Sequence, residues 1–272
     1  MHVDHYLARI GVIGPIKPDL ESLRAIHRAH LLSISYENLD VLFGRSVTIK
    51  IPSIYEKIVE SGRGGWCYEM NGILGWALQE IGFKVTRATG AVMRETSGEA
   101  ATGNHLVLRV DLDEGTYLAD VGFGEGPIEP FAVTPGGFRS NGFTFEISRV
   151  DNVWWRLRNH LEGGAPSFDF NLAPAIEPLL ALQCHRLQTA PESIFVQNAL
   201  CFRHTASGLS VLRGRVLRSV TPAAVTERVL ADADEFQATV EKTFGLNVPD
   251  AASLWPAICA RHDALFRERE TA

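Results

Sequence analysis

A glycine pair that runs straight into an apolar helix limits what this chain can become. Arg63, Gly64, Gly65 and Trp66 lead into Cys67, Tyr68, Glu69, Met70 and Asn71. Met70, Ile73, Leu74, Ala77, Leu78 and Ile81 then recur at helical spacing. Gly82 stands where a helix C-terminus takes a left-handed residue. Cys67 therefore belongs to a first helical turn. Partial positive charge there favours thiolate over thiol, so its pKa is expected to fall. Gly64 and Gly65 clear side chains from beside the sulfur and let the backbone turn sharply. A plainer reading stands beside this one: a cysteine in phase with Met70 and Leu74 is also a small buried apolar residue.

Composition narrows the field. Hydrophobic residues make up 46% of the 272 positions, enough for one large core or two to three small ones. The formal net charge of −6, with no basic stripe, argues against a nucleic-acid partner. Cys67, Cys184, Cys201 and Cys259 show no CxxC spacing, so neither a zinc site nor a disulfide framework is expected. The first ten residues carry charges and histidines where a signal peptide needs an apolar core. No apolar run reaches membrane-spanning length. The expected setting is a reducing cytoplasm, where a free thiol stays usable.

Along the chain the hydrophobic period changes twice. Pro18 and Asp19 precede Leu20, Leu23, Ile26 and Leu31, an apolar helical stripe. His27 and His30 share that helix at a metal-compatible spacing, but no third ligand is in sight, so a solvated or capping role is expected. Ser53 and Glu56 read as a capping box for a short helix closed by Gly62. Residues 1–83 thus form a helical bundle carrying the cysteine. Period-two patterns follow. They run over Lys84–Met93, His105–Leu112, Thr116–Phe123, Phe143–Val150, Val153–Arg158, Ser193–His204 and Leu209–Val220, with a loop from Glu95 to Gly103. These strands suggest an antiparallel β-barrel or strongly curved sheet. Thr221 and Pro222 read as the start of a helix with Val225, Val229 and Leu230 on its buried face, extending through Phe236, Val240 and Phe244 to Gly245. Pro249 and Asp250 open a last helix through Trp255 and Ile258. The fold class is α+β, divided as 1–83, 84–190 and 191–272.

The hairpin around Asp113, Glu114 and Gly115 carries a second constellation. If Leu112 faces Thr116, His105 and Asp120 lie slightly offset from one another at the end away from the turn. A carboxylate on one ring nitrogen fixes the tautomer and stabilises the imidazolium, leaving the other nitrogen to take a proton from a thiol. The alternative is a surface His–Asp pair of little consequence. Leu118, Val121 and Phe123 bracket Asp120 with apolar groups, and a buried aspartate needs a partner. Cys67, His105 and Asp120 together fit a thiol triad of the cysteine-protease type.

These segments resemble the arylamine N-acetyltransferases. Arg63 to Asn71 is similar to that family's nucleophile motif, His105 to Leu108 to its histidine strand, and Tyr117 to Gly124 to its aspartate strand. Tyr6 to Gly11 and Ser35 to Leu39 resemble its opening segments, and Pro191 to Phe195 is a weaker match. The resemblance implies a helical bundle, a β-barrel and a C-terminal α/β lid. It implies acetyl transfer from acetyl-CoA, a substrate rather than a resident cofactor, through Cys67 to arylamines, arylhydrazines or arylhydroxylamines. His105 would be the base and Asp120 its orienter. Tyr36 and Phe123 would line the acceptor pocket, and Gly103 and Gly124 would lie near coenzyme A. No metal is implied. Three positions depart from the family: Ser35 and Tyr36 replace a usual proline and phenylalanine, and Cys184 stands where asparagine is frequent. A cysteine hydrolase or transglutaminase-like acyltransferase would use the same triad.

Overall fold

The structure, a computed structural model, describes residues 1–270, with side chains to residue 265. Helix α1 (Val3–Ile10) ends at Gly11, whose φ of 73° provides the left-handed cap. Helix α2 (Leu20–Ser33) follows the expected stripe, and the Asp19 side chain caps it by accepting the Ser22 N–H at 2.9 Å. Strand β1 (Tyr36–Glu37) and the single turn α3 (Leu39–Leu42) follow. Helix α4 (Ile51–Tyr55) starts two residues before the expected Ser53 cap, with a proline in its first turn, and passes into a π-type turn over Glu56–Glu60. Ser53 is therefore inside the helix and caps nothing. Helix α5 (Cys67–Ile81) begins and ends where the spacing requires, with Gly82 at φ 107°.

Strand β2 (Lys84–Val92) leads to α6 (Arg94–Ser97) and a 3-10 turn, where a loop was expected. The Asn104 side chain holds this excursion by pairing with both the N–H and the carbonyl of Val92, at 2.7 and 3.1 Å. Strands β3 (His105–Leu112) and β4 (Gly115–Ala119) form the expected hairpin. Its register is one residue tighter than predicted, because Leu112 pairs with Gly115 across a two-residue turn. Then come β5 (Phe131–Ala132), β6 (Gly136–Ser140), β7 (Phe143–Arg149), β8 (Trp155–Arg158) and β9 (Ser167–Pro174). These strands order as β5-β4-β3-β2-β9-β8-β7-β6, an eight-stranded antiparallel sheet with two edges rather than a closed barrel.

Helices α7 (Glu177–Thr189) and α8 (Ile194–Gln197) precede a second sheet of β10 (Leu200–Thr205), β11 (Gly208–Arg213), β12 (Val216–Val220) and β13 (Val225–Val229). The single strands expected over 193–204 and 209–220 are thus a helical turn plus a strand, and a hairpin turning at Gly214, φ 58°. The helix expected from Pro222 is absent. Val225–Val229 pairs with β12 instead, and the helix with Phe236 and Val240 on its buried face is α9 (Ala233–Lys242). Helix α10 (Trp255–Glu270) closes the chain.

Packing crosses the boundaries drawn at 83 and 190. The bundle core joins α2 and α5 to Leu106, Leu108 and Val110 of β3 and to Leu180 and Cys184 of α7. Strand β1 pairs with β10, so an N-terminal segment completes the C-terminal sheet. Asn38 donates to the carbonyls of Phe195 and Asn198 and accepts the Leu200 N–H. Ser35, in the usual place of a proline, donates to the Phe244 carbonyl at 2.5 Å.

Candidate active site

Cys67 begins α5 and is 3% exposed. Its Sγ lies 3.9 Å from the carbonyl oxygen of Asn104, the residue joined to His105. The preceding glycines are dictated by close approach. A Cβ on Gly64 would sit 2.0 Å from the Ser35 carbonyl, and one on Gly65 would sit 2.7 Å from Glu69 Cβ. A buried ion network secures the turn. Arg63 makes two bonds to Glu37 Oε1, at 2.7 and 3.1 Å, and Lys57 reaches Glu69 at 3.0 Å. Glu69 also accepts the Trp66 N–H.

The His105 ring donates from Nε2 to Asp120 Oδ2 at 2.7 Å, which leaves Nδ1 uncommitted to the carboxylate. The pair is buried, not on the surface. Strand β4 ends at Ala119, and the carboxylate is aimed by bonds made off the ladder. Asn71 Nδ2 and the Gly122 N–H both donate to Oδ1, at 2.7 and 2.8 Å. Asn71 further donates to the Leu106 carbonyl and accepts the Val121 N–H. The loop after Asp120 lies directly on the cysteine. A Cβ on Gly122 would be 2.8 Å from Cys67 Cα. Residues 67, 105 and 120 are thus gathered at one junction of α5, β3 and the end of β4.

Burial alone would push the Asp120 carboxyl up; the His105 ring, with Asn71 and Gly122, reverses this and holds it below the usual range. The thiol behaves otherwise than the sequence predicts. Burial pushes Cys67 up, the Cys184 thiol and the Asp120 carboxylate add to the rise, and the Tyr68 N–H only partly offsets it. Desolvation outweighs the Tyr68 N–H at the helix start here.

The four proposed contact residues fall into two groups around this junction. Phe123 packs at a tilt against Phe168, with ring centroids 4.8 Å apart, and meets the His105 ring at 6.1 Å. Tyr36 meets Phe202 edge-on at 5.3 Å, and the Phe202 ring lies against Gly124, φ 84°. The Tyr36 hydroxyl, the departure from the family, faces the Cys67 backbone N–H. Gly103, φ 83°, is wedged under Leu179 and Gln183 of α7, and its carbonyl accepts the Tyr68 hydroxyl at 2.7 Å. Both glycines are thereby also explained by backbone conformation and packing. Beside this segment a cleft of about 260 Å³ is lined by Asn104, Gln183, Arg186, Leu187, Ser193 and Ile194 among others. Trp66 and Tyr68 are fully buried core residues.

Sequence reasoning missed Asn71, although its place four residues after Cys67 puts it on the same helix face. His27 and His30, for which a solvated or capping role is expected, are both buried, and His30 pairs with the Tyr6 hydroxyl at 2.8 Å. Phe168 and Phe202 carry no local signal. Among the described residues no group of three or more His, Cys, Asp or Glu is placed to hold a metal ion. No described helix is long and apolar enough to cross a membrane.

Residues 19–253 match a family model described as N-acetyltransferase, which makes the class an acetyl-transferring enzyme. The chain belongs to the arylamine N-acetyltransferase family. It is 33% identical to a pineal gland arylamine N-acetyltransferase isozyme of Gallus gallus, covering 91% of this chain and 95% of the relative. It is 32% identical to the arylamine N-acetyltransferase of Mycolicibacterium smegmatis, covering 93% and 94%. The Mycobacterium marinum enzyme, whose structure is in complex with CoA, superposes with a TM-score of 0.86 at 28% identity, covering 94% of this chain and 98% of that one.

Proposed function

We propose that the chain transfers acetyl from acetyl-CoA to the nitrogen of arylamines or arylhydrazines, and to the oxygen of arylhydroxylamines, through a thioester on Cys67 in a ping-pong sequence. The observation that carries this reading is the committed His105 Nε2: with Asp120 on that nitrogen at 2.7 Å, Nδ1 is left to exchange a proton with the thiol. Because burial opposes a free thiolate, the anion forms by transfer to His105, as an ion pair, rather than by loss to water. The thiolate attacks the acetyl carbonyl, and the tetrahedral oxyanion collapses by expelling the coenzyme thiolate, which takes the proton from His105. The amine then attacks the thioester, His105 accepts its proton, and Cys67 leaves as thiolate. The first half-reaction exchanges similar sulfur leaving groups, and the second turns a thioester into an amide or, at a hydroxylamine oxygen, an ester, so no external energy source is needed. The Cys67 backbone N–H is the candidate oxyanion donor at the helix start, shared with the Tyr36 hydroxyl that faces it.

In this reading Phe123 and Tyr36 flank the acceptor, while Gly103 and Gly124 let backbone approach the coenzyme. The helical part to residue 83 supplies the thiol, the sheet to residue 190 supplies base and orienter, and residues 191–272 cover the site from a cytoplasmic setting. No permanent cofactor takes part. Intact mass before and after acetyl-CoA, then after an aromatic amine or hydrazine, tests the sequence. One acetyl group should appear and persist, then leave with the acceptor. An adduct lost rapidly in buffer alone would favour the hydrolase, and no adduct at all would end the proposal.

A further inference from the structure

Helix α2 carries a buried histidine with both ring nitrogens engaged. His27 is 1% exposed. The Asp120 backbone N–H donates to its Nε2 at 3.1 Å. Nε2 is therefore an unprotonated acceptor, the ring proton sits on Nδ1, and Nδ1 donates to the Ile128 carbonyl at 3.0 Å. Asp120 begins the loop that leaves β4, and Ile128 lies near its far end, before β5 opens at Phe131. Between them stand Gly122, Gly124 and Gly126, which give the loop little stiffness of its own. The Ile128 N–H is tied in turn to Ser140 Oγ of β6 at 3.1 Å.

We propose that His27 is a positioning residue: one neutral imidazole that pins both ends of the 120–128 loop, and so aims the Asp120 carboxylate at the His105 ring and Phe123 at the acceptor. This rests on the triad reading of Cys67, His105 and Asp120. The bonds at the Asp120 carboxylate set where its oxygens point, whereas His27 sets where its backbone stands. A 1 Å error there would lengthen the 2.7 Å bond to His105 and weaken support for the imidazolium. The staple also joins α2 to the sheet, so the helical part holds the loop it does not itself contain. A protonated ring would set a donor against the Asp120 N–H. The groups facing it are the Asp120 carboxylate, which favours the charged form, and the His30 and His204 rings. Burial wins, and His27 is pushed down to about 4.

The test compares His27→Leu, which fills the volume without polar atoms, with His27→Gln, whose amide offers one acceptor and one donor. Iodoacetamide alkylation followed on the Cys67 peptide reports the thiolate–imidazolium pair, and rapid-quench acetylation by acetyl-CoA reports the first half-reaction. In His27→Leu both rates should fall about tenfold, with the KM for acetyl-CoA within about twofold of the parent, because the loss is in support for the pair and not in binding. His27→Gln should recover to within about threefold. Parent rates in a folded His27→Leu protein, or a His27→Gln protein as slow as His27→Leu, would overturn the proposal. Should His27→Leu not fold, ring nitrogen NMR on the parent decides: a neutral ring with its proton on Nδ1 near pH 6 supports it, and a doubly protonated ring or an Nε2–H tautomer refutes it. Asp120→Asn run alongside separates the two readings. If it alkylates at the parent rate the triad falls; if it is slow while His27→Leu is fast, only the role of His27 falls.

Discussion

Burial holds the proton on the Cys67 thiol more strongly than the Tyr68 N–H at the helix start pulls it off. On the proposed mechanism, reactivity at this residue depends on His105 rather than on solvent pH alone. Cys67→Ala should retain the fold, at a cost under about 2 kcal/mol, and lose acetylation altogether. Thermal melting and intact mass check the two halves of that statement, and turnover by the variant would contradict it. Asp120→Asn should reduce the acetylation rate by about 10³- to 10⁴-fold, since an amide cannot hold the same tautomer or balance the imidazolium charge. Single-turnover kinetics give the factor directly. A fall of less than tenfold would mean that Asn71 and the surrounding aromatic rings orient His105 without it.

At the scale of the element, the loop after β4 and the first turn of α5 are in backbone contact. Gly122 is required there by space, since a methyl group would meet Asn71 Nδ2 at 2.6 Å as well as the Cys67 backbone. Gly122→Ala should destabilise by about 1–3 kcal/mol and slow acetylation, because the loop must lift off the helix to fit. Urea unfolding and the acetylation rate measure both, and an unchanged unfolding midpoint would contradict the packing. The elements themselves were unequally legible. α5, its glycine terminator and the β3–β4 hairpin follow from spacing and turn residues close in sequence. β13 did not, because Val225 and Val229 are four apart, a separation in phase with a helix face and with one side of a strand alike. Its pairing with β12 settles the choice, and that is tertiary information. His27 was misread for a related reason: its partners are 93 and 101 residues away, so its helical neighbours carry no trace of them. His105 and Asp120 were found because they are only 15 apart on one hairpin.

Across the whole molecule, several histidines are buried in the neutral form. Burial pushes His27 down to about 4 and His204 down to about 3, and His30 falls well below its ordinary value. In the unfolded chain these rings take protons near pH 6.5. Their contribution to stability is therefore complete above that pH and is lost as pH falls toward 4. Glu69 and Glu125, pushed up by burial, oppose this by binding protons in the folded state. Unfolding near pH 5 should take up between roughly one and three protons net. Urea unfolding free energies between pH 7 and 5 give this number as a slope, and a flat profile would contradict it.

The pairing of Tyr36–Glu37 with Phe202 and Cys201 has a consequence for biosynthesis. A nascent chain must hold an unfinished sheet edge next to its future thiol until some 160 further residues have been made. A fragment ending at residue 190 should accordingly be cut by trypsin far faster than the full-length protein. On the proposed function, the Cys67 site would then be assembled only after residue 202 has been made, which keeps a shorter nascent chain from capturing acyl groups.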